Sequence, residues 1–280
     1  MTIKKIRASL AVGLAILLVA PASWGALVPY GQDFEALNIA NPDALGFVGD
    51  GWGIFGIVYN GNPATPPNGD VKFDYGVFGA PNGGSGFSAI ATGEAGAGQG
   101  TQYLNIYNDY NCCDLGAGDP PGSSAQGHGD NFAPFDRVRS IVLRDQTISA
   151  ADIGQVWEFS FDAKNPSTNG CDAESTSTCG AFIKTLDPSA GFAETNFIYF
   201  DSRSLSNTDW TRHSISIDLS DAALEGQILQ IGFESIAEQF GDTGVYYDNL
   251  SMSQVPVPAA VWLFGSALGL LGFVRRRLTS

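Results

Sequence analysis

Hydrophobic and polar residues alternate through most of the middle of this 280-residue chain. In QVWEFSFDAK (155–164), Trp157, Phe159 and Phe161 fall on one side, and Glu158, Ser160 and Asp162 on the other. In TRHSISIDLS (211–220), Ile215, Ile217 and Leu219 oppose Ser214, Ser216 and Asp218. Leu229, Ile231 and Phe233 align in the same way. A period of two belongs to a strand with one buried face. Weaker alternation predicts strands at 31–37, 54–60, 71–79, 101–107, 138–148, 180–186, 194–202 and 244–253, with Gly, Pro, Asn and Asp clusters between them. About ten short strands at this spacing predict an all-β fold, a jelly-roll-like β-sandwich, forming one domain over 26–254. Residues 108–135, rich in Gly, Asp and Pro, predict a long loop insertion.

The two ends break this pattern. Lys4, Lys5 and Arg7 precede an apolar stretch from Ala8 to Ala20, and small residues follow. This is the layout of a secretory signal peptide over 1–25, with cleavage after Gly25 preferred and after Ala22 as the alternative. At the other end, 20 residues from Val255 to Val274 carry no charge. As a helix they would span ~30 Å, the thickness of a bilayer's hydrocarbon core. Arg275, Arg276 and Arg277 follow at once, and such clusters stay in the cytoplasm. The pattern therefore predicts export followed by retention at the inner membrane through a C-terminal hydrophobic helix.

Charge changes the picture of the middle. Six of the 14 basic residues lie in the two ends and none of the 29 acidic ones do, which leaves residues 26–254 with a net charge of −21. Such a surface repels nucleic acid and anionic lipid. It suits a protein kept soluble outside the cell, or one that binds divalent cations.

The candidate chemistry is sparse. No GxSxG, HExxH or Walker loop is present, and the chain has only two histidines. His213 shares strand parity with Ile215 and Ile217, which predicts a core-edge residue, and His128 lies in a flexible GHGD loop. Both facts argue against an enzyme, although 29 acids offer many carboxylate pairs of the kind used in glycoside hydrolysis. Outside the cytoplasm the four cysteines are expected to oxidise. Cys171 and Cys179 bracket a polar loop that a hairpin would close, while Cys112 and Cys113 are adjacent and a bond between them would be strained. Pairings that tie 112–113 to 171 and 179 avoid that strain, so the connectivity stays open. Trp52, in GDGWGIFG, is a candidate for stacking on a sugar ring, with packing at a sandwich edge as the plainer reading.

Two family resemblances can now be stated. The order Val255-Pro256-Val257-Pro258-Ala259-Ala260-Val261-Trp262-Leu263, then a glycine-bearing apolar span, then Arg275–Arg277, resembles the PEP-CTERM sorting signal of Gram-negative bacteria. The match is to the subtype reading Val-Pro-x-Pro-Ala-Ala-x-Trp-Leu. It covers residues 255–280, and Val257 stands where the eponymous glutamate would be, so the cut site is unassigned. The resemblance implies processing by an exosortase-type enzyme, in bacteria that make extracellular polysaccharide. More weakly, GQDFEAL near the start and GDTGVYYDNLSM near the end resemble the galactose-binding-like jelly rolls, which include many carbohydrate-binding modules. That resemblance implies a structural calcium ion between Glu35 and Asp248. Asp248 shares parity with Tyr246, Leu250 and Met252, and a carboxylate on an apolar face needs a partner, either a cation or N–H donors.

The function expected from these features is a non-enzymatic cell-surface or matrix protein associated with exopolysaccharide. A calcium-stabilised carbohydrate-binding module is the alternative, and a polysaccharide hydrolase the second alternative.

Overall fold

A computed structural model describes residues 26–37, 49–59, 71–75, 88–108, 137–168, 170–171, 177–238 and 243–256. They form twelve strands: β1 (Tyr30–Gln32), β2 (Gly53–Tyr59), β3 (Val71–Tyr75), β4 (Ala89–Thr92), β5 (Gln102–Asn108), β6 (Arg137–Thr147), β7 (Val156–Lys164), β8 (Thr178–Asp187), β9 (Ala193–Asp201), β10 (Thr211–Asp218), β11 (Ile228–Glu238) and β12 (Thr243–Gln254). One six-stranded sheet runs β10-β7-β12-β5-β4, with β1 also paired to β12. The other runs β3-β2-β6-β11-β8-β9. Every strand pair is antiparallel, which confirms the β-sandwich.

The strong alternations land as read. Trp157, Phe159, Phe161, Leu229, Ile231 and Phe233 are all buried between the sheets. Phe233 sits at the centre of the core. Its ring stacks on Tyr247 at 4.0 Å and meets Phe159 at 5.3 Å, Phe161 at 5.5 Å and Trp52 at 6.2 Å. Aromatic pairs at these separations add to what burial alone contributes.

The weaker alternations differ in detail. β4 was not legible, because a four-residue strand of Ala89-Ile90-Ala91-Thr92 is too short to show a period. The first strand stops at Gln32. Phe34 has φ 60° and is fully buried, and Leu37 N–H closes a turn on Phe34 O at 3.1 Å. In β12 the register shifts between Asp248 and Ser251: three steps on β12 face two on β7, from Asp162 to Ser160. Asn249 takes φ 49° within this bulge. One extra residue flips the parity of everything beyond it.

Short connections gather at one end. Residues 148–155 join β6 to β7, 188–192 join β8 to β9, and 219–227 join β10 to β11. Asp152 ties this end together, accepting from Leu27 N at 3.0 Å, Ser149 N at 2.9 Å and Ser149 Oγ at 2.7 Å. β12 ends here too, and Val255 N–H still donates to Val156 O at 2.8 Å. The insertion expected over 108–135 and the C-terminal helix lie almost wholly outside the described residues, as does the signal segment 1–25.

Candidate functional site

The register places Asp248 of β12 directly opposite Asp162 of β7. Both point away from the inter-sheet core, because Tyr247 and Ala163 beside them are the buried positions of the pair. This corrects the parity expected from sequence: Leu250 and Met252 do face the core, but Asp248, on the far side of the bulge, does not share their face. Asp248 is nevertheless only 1% exposed. The 96–101 segment closes over it, with Gln99 Nε2 donating to Asp162 Oδ2 at 2.9 Å and Asn249 Nδ2 to Gly98 O at 2.9 Å.

The two carboxylates are served unequally. Asp162 accepts from Gln99, from Asn249 Nδ2 at 2.7 Å and from Arg212 Nη1 at 3.2 Å. Asp248 accepts from the Asn249 backbone N–H at 2.6 Å. Burial pushes the Asp248 carboxyl up to about 7; the Asn249 hydrogen bond opposes this, and the charges of Asp162, Glu35 and Asp33 reinforce it.

Glu35, the other residue of the expected calcium pair, lies in the turn after β1 and close enough for its charge to act on Asp248. Its Oε1 accepts from Gln102 N at 2.6 Å and Thr101 N at 2.7 Å, and these two donors hold its carboxyl below the usual range. Gly100 makes room for it: a Cβ there would come within 2.5 Å of Glu35 Oε1. Gln102 Oε1 is buried without a hydrogen-bond partner among the described residues. A carboxyl with a raised pKa, a second carboxylate and an orphaned amide oxygen are hard-oxygen donors of the kind calcium takes. Among the described residues, no three His, Cys, Asp or Glu side chains gather into a metal-binding group, so neutral oxygens would have to complete the shell.

The other residues singled out in the sequence have varied fates. Trp52 is 1% exposed, stacks on Phe233 and donates its Nε1–H to Tyr30 Oη at 2.8 Å. A ring enclosed in this way cannot receive a sugar: Trp52 is a core residue, not a stacking platform. Cys171 and Cys179 form a disulfide with Cα atoms 6.3 Å apart, which removes the pairings that tie either of them to 112–113. Cys112 and Cys113 lie outside the described residues, as do His128 and the sorting motif from Val257 on, Pro258, Ala259, Arg275, Arg276 and Arg277 included. Val255 and Pro256 are described and extend beyond β12. His213 shares its Nε2 with Thr211 Oγ1 at 2.7 Å and packs on Phe200 at 4.4 Å, the core-edge position expected of it.

A second group of side chains, not singled out by any sequence pattern, lies on the outer face of the other sheet. Phe182 and Lys184 of β8 and Phe197 and Tyr199 of β9 alternate with core residues and point outward. Phe182 lies across Gly232, where an added Cβ would meet its Cζ at 2.6 Å, and Tyr199 lies across Gly180 in the same way. Phe197 stacks on Tyr199 with centroids 5.7 Å apart and is 45% exposed. Lys184 Nζ stands 5.0 Å from the Phe182 centroid and 3.7 Å from Glu194. Burial lowers the Lys184 pKa, and the nearby Arg139 adds to that. Gln230 Nε2 donates to Asp145 Oδ1 at 2.9 Å, and Arg139 pairs with Glu234. Phe182 is fully buried and Gln230 and Glu234 nearly so, and Phe197 is the exposed ring of this group.

No family model matches the chain, and no curated protein matches it. Solved structures do. A carbohydrate-binding module of the β-sandwich superfamily matches at 12% identity and TM-score 0.33, covering 60% of this chain and 53% of its own, so the chain spans about half the length of that structure. A family 61 carbohydrate-binding module in complex with β-1,4-galactotriose matches at 11% identity and TM-score 0.32, covering 60% of this chain and 81% of its own. A cyclase from Fischerella sp. in its apo form matches at 12% identity and TM-score 0.35, covering 72% and 83%.

Proposed function

We propose that this is an exported, non-enzymatic cell-surface or matrix protein that binds extracellular polysaccharide at the exposed Phe197 of edge strand β9. The observation that carries this reading is Phe197, an aromatic ring 45% exposed on edge strand β9. It is backed by Tyr199 and bordered by Lys184 and Glu194. A pyranose ring presents C–H groups on its faces and hydroxyls around its rim. An exposed aromatic plane with charged and amide groups beside it meets both.

Among the described residues, the facing carboxylates Asp248 and Asp162 do not suit a hydrolase. Asp248 and Asp162 have the proximity and the split environments of an acid–base pair, but Asp248 is 1% exposed and Asp162 is held by three side chains. A glycosidic bond cannot reach them.

Export and sorting follow from the sequence features at the two ends: a signal over 1–25 and a tail over 255–280 handled by an exosortase-type enzyme. The tail holds the protein at the inner membrane until it is processed and passed to the cell surface or matrix. A calcium ion at Asp248, Glu35 and Gln102 Oε1 would neutralise buried Asp248 together with exposed Glu35 and so brace the bulge; it has no catalytic part.

Affinity electrophoresis through gels containing neutral or acidic polysaccharides tests the function. At least one polymer is expected to retard the wild type, and Phe197→Ala to weaken retardation about tenfold. Mobility unaffected by every polymer, or equal retardation of the variant, would overturn the reading. Release of reducing ends would remove the non-enzymatic part.

A further inference from the structure

A cleft of about 320 Å³ opens where the β12 bulge interrupts its sheet. It is lined by Gly31, Gln32 and Asp33 at the end of β1, by Arg212 of β10, and by Asn249 and Leu250 of the bulge. We propose that this cleft is a second ligand site, one that takes a single neutral sugar unit by its vicinal hydroxyls.

The lining residues differ in chemistry. Asp33 offers a carboxylate, and Arg212 offers the N–H groups not already donated to Asn249 O, Ser160 and Asp162. A pair of adjacent hydroxyls can donate to the first and accept from the second. The volume lies at the lower end of the ~300–1,000 Å³ range of small-ligand sites.

The groups are fixed in place. Arg212 is 48% exposed, yet its guanidinium is held by Asn249 O at 2.6 Å, Ser160 Oγ at 2.7 Å and Asp162 Oδ1 at 3.2 Å. Asn249 is kept left-handed at φ 49°, and its side-chain amide is tied to Gly98 O and Asp162. An exposed arginine normally loses much rotamer freedom on binding; here that loss is already met by folding. Residues held in sparsely populated backbone regions cluster at ligand sites.

The charge balance selects the ligand. Asp162 already pairs with Arg212, and Asp33, Glu35 and Asp248 stand nearby. An anionic sugar would meet net negative charge, whereas a neutral one meets donors and acceptors without that penalty. Gly31 keeps the mouth open. An added Cβ there would meet only Leu250 O, at 3.6 Å, an ordinary contact, so bulk can be added at this lining position without a clash at the Cβ.

The choice of sugars rests on the polysaccharide reading, and the test separates the two. The full-length protein, ¹⁵N-labelled, is titrated with methyl glycosides of glucose, galactose, mannose and glucuronic acid, and separately with calcium chloride. A neutral glycoside is expected to shift the amides of Gly31, Asp33 and Asn249 saturably, with millimolar affinity. Gly31→Val and Arg212→Ala should each weaken this at least tenfold, with Gly31→Val melting within a few degrees of wild type. Phe197→Ala should leave these shifts intact even where polymer binding is lost. Shifts from calcium alone, from the glucuronide alone or from no probe would overturn the proposal, as would wild-type affinity in Gly31→Val.

Discussion

Asp248 faces another carboxylate across a strand pair at 1% exposure, and one backbone N–H serves it where three side chains serve Asp162. With its folded pKa raised to about 7, it binds a proton in the native state that an unfolded aspartate, near ~3.9, has already released. Between these values the native state holds more protons, so stability falls as pH rises through the window and is highest below it. In metal-free protein this single group is expected to remove about 2–4 kcal/mol between pH 4 and pH 8. Asp248→Asn should flatten that slope and stabilise the protein at pH 8. Urea denaturation at four pH values in chelator measures both, and parallel slopes for the two proteins would refute the assignment.

At the scale of the strand, outward glycines let aromatic rings lie flat on the second sheet. Gly232 of β11 sits beneath Phe182, with Val142 O on its other side. Adding a methyl there forces the ring or the β6 backbone to move, and overpacking of this kind costs about 1–3 kcal/mol. Gly232→Ala should lower the urea midpoint accordingly and loosen the group of side chains that carries Phe197. Gly98 is the control: a Cβ there meets nothing within 4 Å, so Gly98→Ala should change stability by less than about 0.5 kcal/mol. Equal effects at the two glycines would mean that ring contact is not what holds β11 to β8.

For the whole molecule, the net charge of −21 over 26–254 sets the response to cations. A divalent ion bound only by the folded state stabilises it by ~2.7 kcal/mol at a hundredfold excess over Kd. For a domain of this size that is a rise in Tm of about 5–10 °C. Calcium is expected to produce this rise, and Asp248→Asn to abolish it. An equal rise with sodium at matched ionic strength would point to screening of the net charge instead. A melting curve indifferent to calcium and chelator would remove the ion from this fold.

What the sequence determined by itself was local. The side of a strand on which a residue falls follows from backbone geometry, so Phe159, Phe161, Ile231 and Phe233 were legible as core before any pairing was known. The sandwich class followed from the number and spacing of such strands, and Asp248 drew attention because a carboxylate in a strand pattern needs a partner. Pairing between distant segments decided the rest. The register of β12 against β7 put Asp248 opposite Asp162 and inserted the bulge that broke its parity with Leu250. Burial beneath Phe233 took Trp52 from candidate platform to core. Cys171 met Cys179 because its N–H is held on Gly244 O of β12 while Cys179 is held opposite Ser235 of β11. Phe197 and Arg212 acquired their surroundings only when strands far apart in the chain lay side by side. Each of these depends on which backbone lies opposite which, and that is set by the summed packing of the two sheets rather than by any one segment.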